Sequence, residues 1–548
     1  MLLGKPFYLL FFLTFLTQTG IAQKAKKIQY KAEKLYEFRE KGKKIRRLVG
    51  NVIFVQKETK MYCDSSLFYV KENIMEAYGS VRIIDDSVTI TSRKLIYNGQ
   101  DRTAKLRENV VYTKGEQRLL TDFLDYNLDT EVGNYFNRGI LKDSTNTLSS
   151  EIGYFFGLEN YALFRNGVVL EAPDYTLKAD TLRYNTNTKV AITRGKTVIV
   201  SEDETTLHAE GGTFRTELEQ SQFIDGNVET TDYFLEGDEL FFDDLKRYYD
   251  ATGNVKLTAK NEDIIITGDE GYADDNNDIS KVYGNAVMRR VLEEDTLYMA
   301  ADTLVAIESE YDSAKRILAY NNVRMWRYNL QGLSDSASYF LQDSLLYFYD
   351  DPIFWNEQNQ IEGDTIRMEI SEERIKTMTL LKNAFLSSED TIQNYNQIKG
   401  RRMVAHFSKS DIKYIDVMGN GESIYYVLEE RDSVATRTMG MNRILCSNMK
   451  IRFENKKLKN ISFYVQPEAK FIPPHELTAE IQKLQGFAWQ GSLRPELSDV
   501  LGPYSKLEQR KEESGDSKPD PSIRSLPFLN KEGLPSRGGS LKKLKQDK

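Results

Sequence analysis

Hydrophobic residues along this chain arrive in short bursts of three to five, often aromatic or β-branched and alternating with polar positions. Ser66-Leu67-Phe68-Tyr69, Lys94-Leu95-Ile96-Tyr97, Phe123-Leu124-Asp125-Tyr126, Ala179-Asp180-Thr181-Leu182-Arg183-Tyr184 and Gly237-Asp238-Glu239-Leu240-Phe241-Phe242 each carry apolar side chains at i and i+2. That spacing puts them on one face of a strand and sends the intervening residues to the other. Between bursts lie Asn98-Gly99-Gln100-Asp101, Asn185-Thr186-Asn187-Thr188 and Asp274-Asp275-Asn276-Asn277-Asp278. These residue types tolerate positive φ and close their own local hydrogen bonds, so the stretches predict hairpin turns.

The bursts recur. An "Asp-x-Leu-x-aromatic" half is followed by a "Gly-Asn-Val" half, seen at Gly50-Asn51-Val52, Gly79-Ser80-Val81, Glu108-Asn109-Val110, Gly226-Asn227-Val228, Gly253-Asn254-Val255, Gly284-Asn285-Ala286, Asn321-Asn322-Val323 and Gly419-Asn420-Gly421. Within the runs starting at 50, 79 and 108 and at 226, 253 and 284 the starts lie 27 to 31 residues apart, inside the window of solenoid-type repeats. A unit of a few short strands cannot bury its apolar face alone, so the units must stack. The expectation is an all-β fold of stacked hairpins, elongated rather than globular, with one continuous apolar interior.

Composition and charge refine this picture at the ends. An apolar run from Phe7 to Leu16 behind Lys5, with small residues at Gly20 and Ala22, predicts an export signal over residues 1–22 cleaved after Ala22. The run is shorter than the ~20 residues of a spanning helix, and with a mean hydropathy of −0.52 the mature chain is expected to lack a membrane span. Residues 23–47 read as a basic lead-in, residues 48–490 as the repeats, and the Pro-, Ser-, Gly- and Lys-rich residues 491–548 as a disordered tail. The total charge is −8, the first 47 residues carry +9 and the last 43 carry +4, which leaves about −21 for the middle. Such a body repels polyphosphate, so nucleic acid is not expected as a partner. The only two cysteines, Cys63 and Cys446, fall near opposite ends of the stack and are expected as free thiols or one intermolecular bridge.

Motifs for chemistry are missing from the sequence. His208, His406 and His475 are scattered, and none has a metal-ligand spacing to another His or Cys. There is no Gly-x-Ser-x-Gly elbow, no phosphate-binding loop and no dinucleotide fingerprint. No catalytic residue, metal or cofactor is therefore expected.

The signature "Ala/Gly-Asp-x-Leu-x-Tyr, turn, Gly-Asn-Val", running from about Leu48 to Phe471, resembles the OstA-like family. That family includes the periplasmic lipopolysaccharide-transport protein A and the N-terminal domain of the outer-membrane lipopolysaccharide assembly protein D. The resemblance implies a twisted β-jellyroll, V-shaped in section, whose interior shelters lipid A acyl chains and whose ends join similar folds head to tail. It also implies a periplasmic protein associated with the outer membrane, a lipid-binding bridge or chaperone in lipopolysaccharide transport and outer-membrane assembly. This chain departs from that pattern in carrying about twice the repeats of a simple bridge and no following barrel domain. Bottom-up chemistry agrees with the role: an acyl CH₂ left in water costs about 0.8 kcal/mol, so a multi-chain amphiphile needs an unbroken apolar track. Alternate positions of the first units nominate Val52, Phe54, Leu67, Tyr69, Val81, Ile83, Leu95, Tyr97, Val110 and Tyr112 as its lining. Two readings from other classes stay open: a β-solenoid enzyme acting on polysaccharide, and a structural or adhesive surface rod.

Overall fold

A computed structural model describes residues 27–502, apart from 203, 231–232, 261–262, 275, 293–294, 308, 310, 372–373, 409–410, 432–433 and 455–456. The export signal and most of the tail lie outside the described residues. The chain divides into two compact units, residues 1–164 and 165–548. Both are built almost wholly from antiparallel strands, most of them hydrogen-bonded to the one before and the one after.

In the first unit Lys43–Gln56, Thr59–Tyr69, Ile74–Asp85, Val88–Asn98, Thr103–Lys114 and Gln117–Asn127 pair in sequence order. The shorter strands Val132–Tyr135 and Gly139–Lys142 then share the partner Gln117–Asn127. The second unit repeats the scheme from Tyr175–Asn185 through Val434–Glu454 and closes with Lys457–Tyr464 and Glu468–Ile472. The predicted turns are present. The Asn98 side-chain oxygen accepts from the Gln100 amide at 3.0 Å, and Asn185 accepts from Asn187 and Thr188 at 3.0 and 2.9 Å.

The repeat signature is the description of a corner. At most Gly-Asn corners the register shifts, for example between Val49 and Val52, Thr252 and Val255, and Tyr283 and Ala286. The extra residue there is a bulge that bends the strand. Gly253 and Asn254 adopt φ of +72° and +48°, the left-handed region that Gly and Asn enter most cheaply. The Asp of the preceding burst lies directly opposite. Asp238 accepts from Asn254 Nδ2 at 2.9 Å, Asp269 from Asn285 at 2.7 Å, Asp302 from Asn322 at 2.9 Å and Asp364 from Asn383 at 2.9 Å. A Cβ on Gly253, Gly79 or Gly195 would collide with the carboxylate of Asp238, Asp64 or Asp180. The two halves of the repeat are thus conserved in chemistry because they touch across adjacent strands. Gly253→Ala should lower stability by about 2 kcal/mol, from left-handed strain alone, and Asn254→Ala by about 1 kcal/mol, read as shifts of the urea midpoint at unchanged slope.

Past the corner the half-strands fold towards each other and their inner faces meet. Phe54, beyond one corner, has its ring 6.1 Å from that of Phe68 on the opposing half. The bend also flips the parity of burial. In Thr59–Tyr69 the buried positions are Thr59, Met61 and Cys63 before the corner at Asp64, then Ser66 and Phe68 after it. Both cysteines are buried free thiols.

Two boundaries differ from the sequence reading. Strands begin at Gln29–Lys31 and Lys34–Glu40, inside the stretch taken as a basic lead-in. Lys34–Glu40 lies against Lys43–Val49, with Leu35 opposite Leu48 and Phe38 opposite Ile45. At the other end, residues 491–502 are part of the fold. They form a 3₁₀ turn, Gly491–Leu493, and a short helix, Leu497–Leu501, that buries Val500 and Leu501.

Candidate functional site

The inner faces of the two sheet halves carry the repeat's alternating apolar positions, and the candidate site is built from them. In the first unit Val52, Phe54, Val81, Ile83, Leu95, Tyr97 and Val110 are all buried there. Tyr112 is half-buried, its ring 5.8 Å from Tyr126. Burial pushes the Tyr112 phenol up to about 12, so both rings stay neutral at physiological pH. Leu67 and Tyr69 are corrected: they lie on the outer face of their strand, and Ser66 and Phe68 take the inward positions. Aligning Leu67 with Leu95 misplaces the burst by one residue, and a one-residue slip in a strand exchanges its faces.

Opposite the corners, hairpin turns from the two halves meet and close the first unit's interior with polar groups. Arg102, 5% exposed, donates to the Gln56 carbonyl at 3.2 Å and to Thr59 Oγ1 at 2.8 Å. It also forms ion pairs with Asp129 at 3.0 Å and Asp85 at 3.7 Å. Gln56 donates to the Gly99 carbonyl at 2.7 Å and accepts from the Tyr97 hydroxyl at 2.5 Å. Arg102 Nη1 and Nη2, the Gln56 amide and the Tyr97 hydroxyl each find a hydrogen-bond partner within it, as a buried polar network requires.

The second unit is open where the first is bolted. Between Tyr175 and Val282 its interior holds two apolar clefts. One, a narrow half-open cleft of about 50 Å³, lies among Tyr175, Ile199, Phe214 and Phe223, with Arg215, Glu219 and Asp244 also lining it. The other, about 60 Å³ and likewise half-open, lies among Leu235, Phe242, Tyr249, Ala251, Val255 and Val282, with Lys281 beside it. The Lys281 ammonium sits 5.4 Å from the centre of the Tyr272 ring. Ala251 and Gly271 are the small residues at inward positions that line the second cleft. From Ala286 onward Met288, Met299, Met325, Met368 and Met378 occupy such positions, and one continuous core fills the space to Ile451. Unbranched, polarizable methionine adapts to irregular gaps. The nominations stop at Tyr112 and miss the clefts. Their signal in the sequence is a small residue, Ala251 or Gly271, where other repeats carry Leu, Met or Phe.

Among the described residues no His/Cys/Asp/Glu group is placed to hold a metal ion, and no helix is long and apolar enough to cross a membrane.

Residues 24–180 match the family described as OstA-like protein. Residues 236–374 match the family described as LptA/(LptD N-terminal domain) LPS transport protein. None of the curated proteins matches. Among solved structures, the chain is similar to LptH of Pseudomonas aeruginosa, described as the LptA-homologous periplasmic component of the lipopolysaccharide transport device. The identity is 8%, over 30% of this chain and 79% of that one, with a TM-score of 0.09.

Proposed function

We propose that this chain, in which residues 24–180 are similar to the OstA-like family and residues 236–374 to the LptA/(LptD N-terminal domain) family, is a periplasmic lipid-binding bridge or chaperone that carries lipopolysaccharide towards the outer membrane. The observation that carries this reading is the pair of apolar clefts inside the second unit. A cleft lined by Phe242, Tyr249 and Val255 removes acyl methylenes from water at about 0.8 kcal/mol each. Arg215 and Lys281 at the cleft edges supply cations for the phosphates of an anionic headgroup. Among the described residues Lys34–Glu40 pairs on one side only, with Lys43–Val49, and an unpaired edge of this kind accepts a strand from another jellyroll. That edge supports head-to-tail joining with similar folds.

A photo-crosslinking residue at Phe242 or Tyr249 in cells should give a lipopolysaccharide adduct. The same probe at Tyr69, on an outer face, or at Met325, in the filled core, should give none. Absence of adduct at both Phe242 and Tyr249 would remove the basis for the proposal. Depletion should make the outer membrane leaky. An adhesive rod predicts intact permeability with lost attachment, and a polysaccharide-active enzyme predicts product release from a glycan panel.

A further inference from the structure

After Ile472 the chain leaves its last strand at Pro473-Pro474 and runs back across the outer face of the second unit, perpendicular to the strands. It follows one cross-strand row. Trp326 pairs with Gln331, Gln331 with Trp355, Trp355 with Gln360, Gln360 with Ser387 and Ser387 with Gln397. Gln331, Gln360 and Gln397 therefore stand in register on alternate strands, side chains outward, while Ile361 and Ile398 beside them enter the core.

Each glutamine holds the returning segment by its backbone or by an arginine. Gln397 donates to the Gln482 carbonyl at 2.8 Å and accepts from the Leu484 amide at 2.7 Å. Gln360 donates to the Ala488 carbonyl and accepts from the Gln490 amide, both at 2.7 Å. Gln331 accepts from Arg494 Nε at 2.7 Å. The first two amides reproduce the paired donor and acceptor of a neighbouring strand, so they read main chain rather than side-chain identity. Contacts recur at 482, 488, 494 and 500, where Val500 and Leu501 pack on Val287 and Ala300. Phe487 stacks near Phe385 and Tyr395 at 6.3 and 5.5 Å, and Trp489 near Tyr395 at 5.1 Å.

Beneath this strap lies Glu362, two residues from Gln360 on the same face and paired across the ladder with Phe385. Gln360 Nε2 donates to its carboxyl as well as to Ala488. The groups around it are accounted for. Ile353 on one neighbouring strand and Phe385 on the other are its apolar cross-strand partners. Lys382 sits at the corner of the Phe385 strand. Lys399, one strand further, donates to the Gln485 carbonyl at 3.0 Å. Glu422 beyond it pairs with Arg443 at 3.7 Å. On the strap, Arg494 turns to Gln331 and the Glu357 carbonyl, and Lys483 lies on the exposed side. No cation pairs with Glu362 among the described residues.

We propose that residues 473–502 are a releasable strap, clamped by the glutamine row and loosened when the Glu362 carboxyl beneath it ionises. Burial pushes the Glu362 carboxyl up to about 7 from an ordinary value of 4.5. The neutral form therefore favours the closed strap. Closure is strongest below about pH 4.5, weakens as pH rises towards 7, and levels off above it. Release uncovers Phe385, Ile424 and Tyr426 on the sheet's outer face.

All three tryptophans of the chain, Trp326, Trp355 and Trp489, lie in or under the strap. Intrinsic fluorescence of the full chain thus reports on this region alone. Between pH 5 and pH 8 the emission should shift to the red. Hydrogen-exchange protection of the Leu484 and Gln490 amides, corrected for intrinsic rates, should fall at least about tenfold. Glu362→Gln should keep the strap closed and flatten both responses, while a Gln360→Ala, Gln397→Ala double variant should show the open signature at both pH values. A wild-type chain whose amides are equally protected at pH 5 and pH 8, or a Glu362→Gln variant that retains the step, would overturn the proposal.

Discussion

An Ala251→Phe, Ala273→Phe double variant should lose lipid binding by about three orders of magnitude and yet melt no lower than the wild type. Both residues line the larger cleft of the second unit, where Ala251 faces Val255 and Phe242 and Ala273 stands beside Val282. The cleft itself holds only about 60 Å³, so the two rings fill it and extend into its open mouth, where the apolar surface they cover contributes about 25 cal/mol per Å². The same rings exclude an acyl chain. Displacing about five methylenes forfeits about 4 kcal/mol, which is roughly a thousandfold in Kd. A tight-packing strut and a lipid carrier respond oppositely here, since only the carrier loses anything. Titration with lipopolysaccharide, together with a thermal melt, decides between them: unchanged affinity in a folded double variant would sink the acyl-chain assignment for this cleft.

The stacking of hairpins is legible in the sequence because a strand's period of two is short and the bursts repeat it many times. The corner is legible as a motif before it is legible as geometry. Gly253-Asn254 announces positive φ, and only the structure shows that Asp238 of the previous burst is the group the glycine must avoid and the asparagine must reach. Parity across the corner is not legible by simple alternation. Counting twos through Asp64 puts Leu67 and Tyr69 inside, whereas the bend hands the interior to Ser66 and Phe68. The strap is hidden for a different reason. Its contacts join residues far apart in sequence, such as Gln360 with Ala488 and Gln490, and its own composition, with Pro473, Pro474, Gly486 and Gly491, carries no periodic signal.

The closure of the first unit opposite its corners should depend on Arg102 far more than on any apolar contact there. Arg102→Met keeps the length and the apolar stem but deletes the guanidinium that joins Thr59, the Gln56 carbonyl, Asp85 and Asp129. Removing one partner of a buried pair costs about 3–5 kcal/mol when the other charge stays buried. Here the acids can turn to water, since the side chains of Asp129 and Asp85 are 47% and 21% exposed, so the expected loss is nearer 2–3 kcal/mol. Gln56 and Thr59 cannot turn out: they are 2% and 0% exposed and lose a donor each was built to accept. The loss should therefore appear locally, as faster amide exchange at the turns around Lys57, Gly99 and Leu128, before it appears in global unfolding. Asp129→Asn should cost under about 1 kcal/mol, because an exposed partner contributes little. If Arg102→Met leaves those turns as protected as in the wild type, the network is an accident of packing and the first unit is held shut by Phe54, Phe68 and Tyr97 alone.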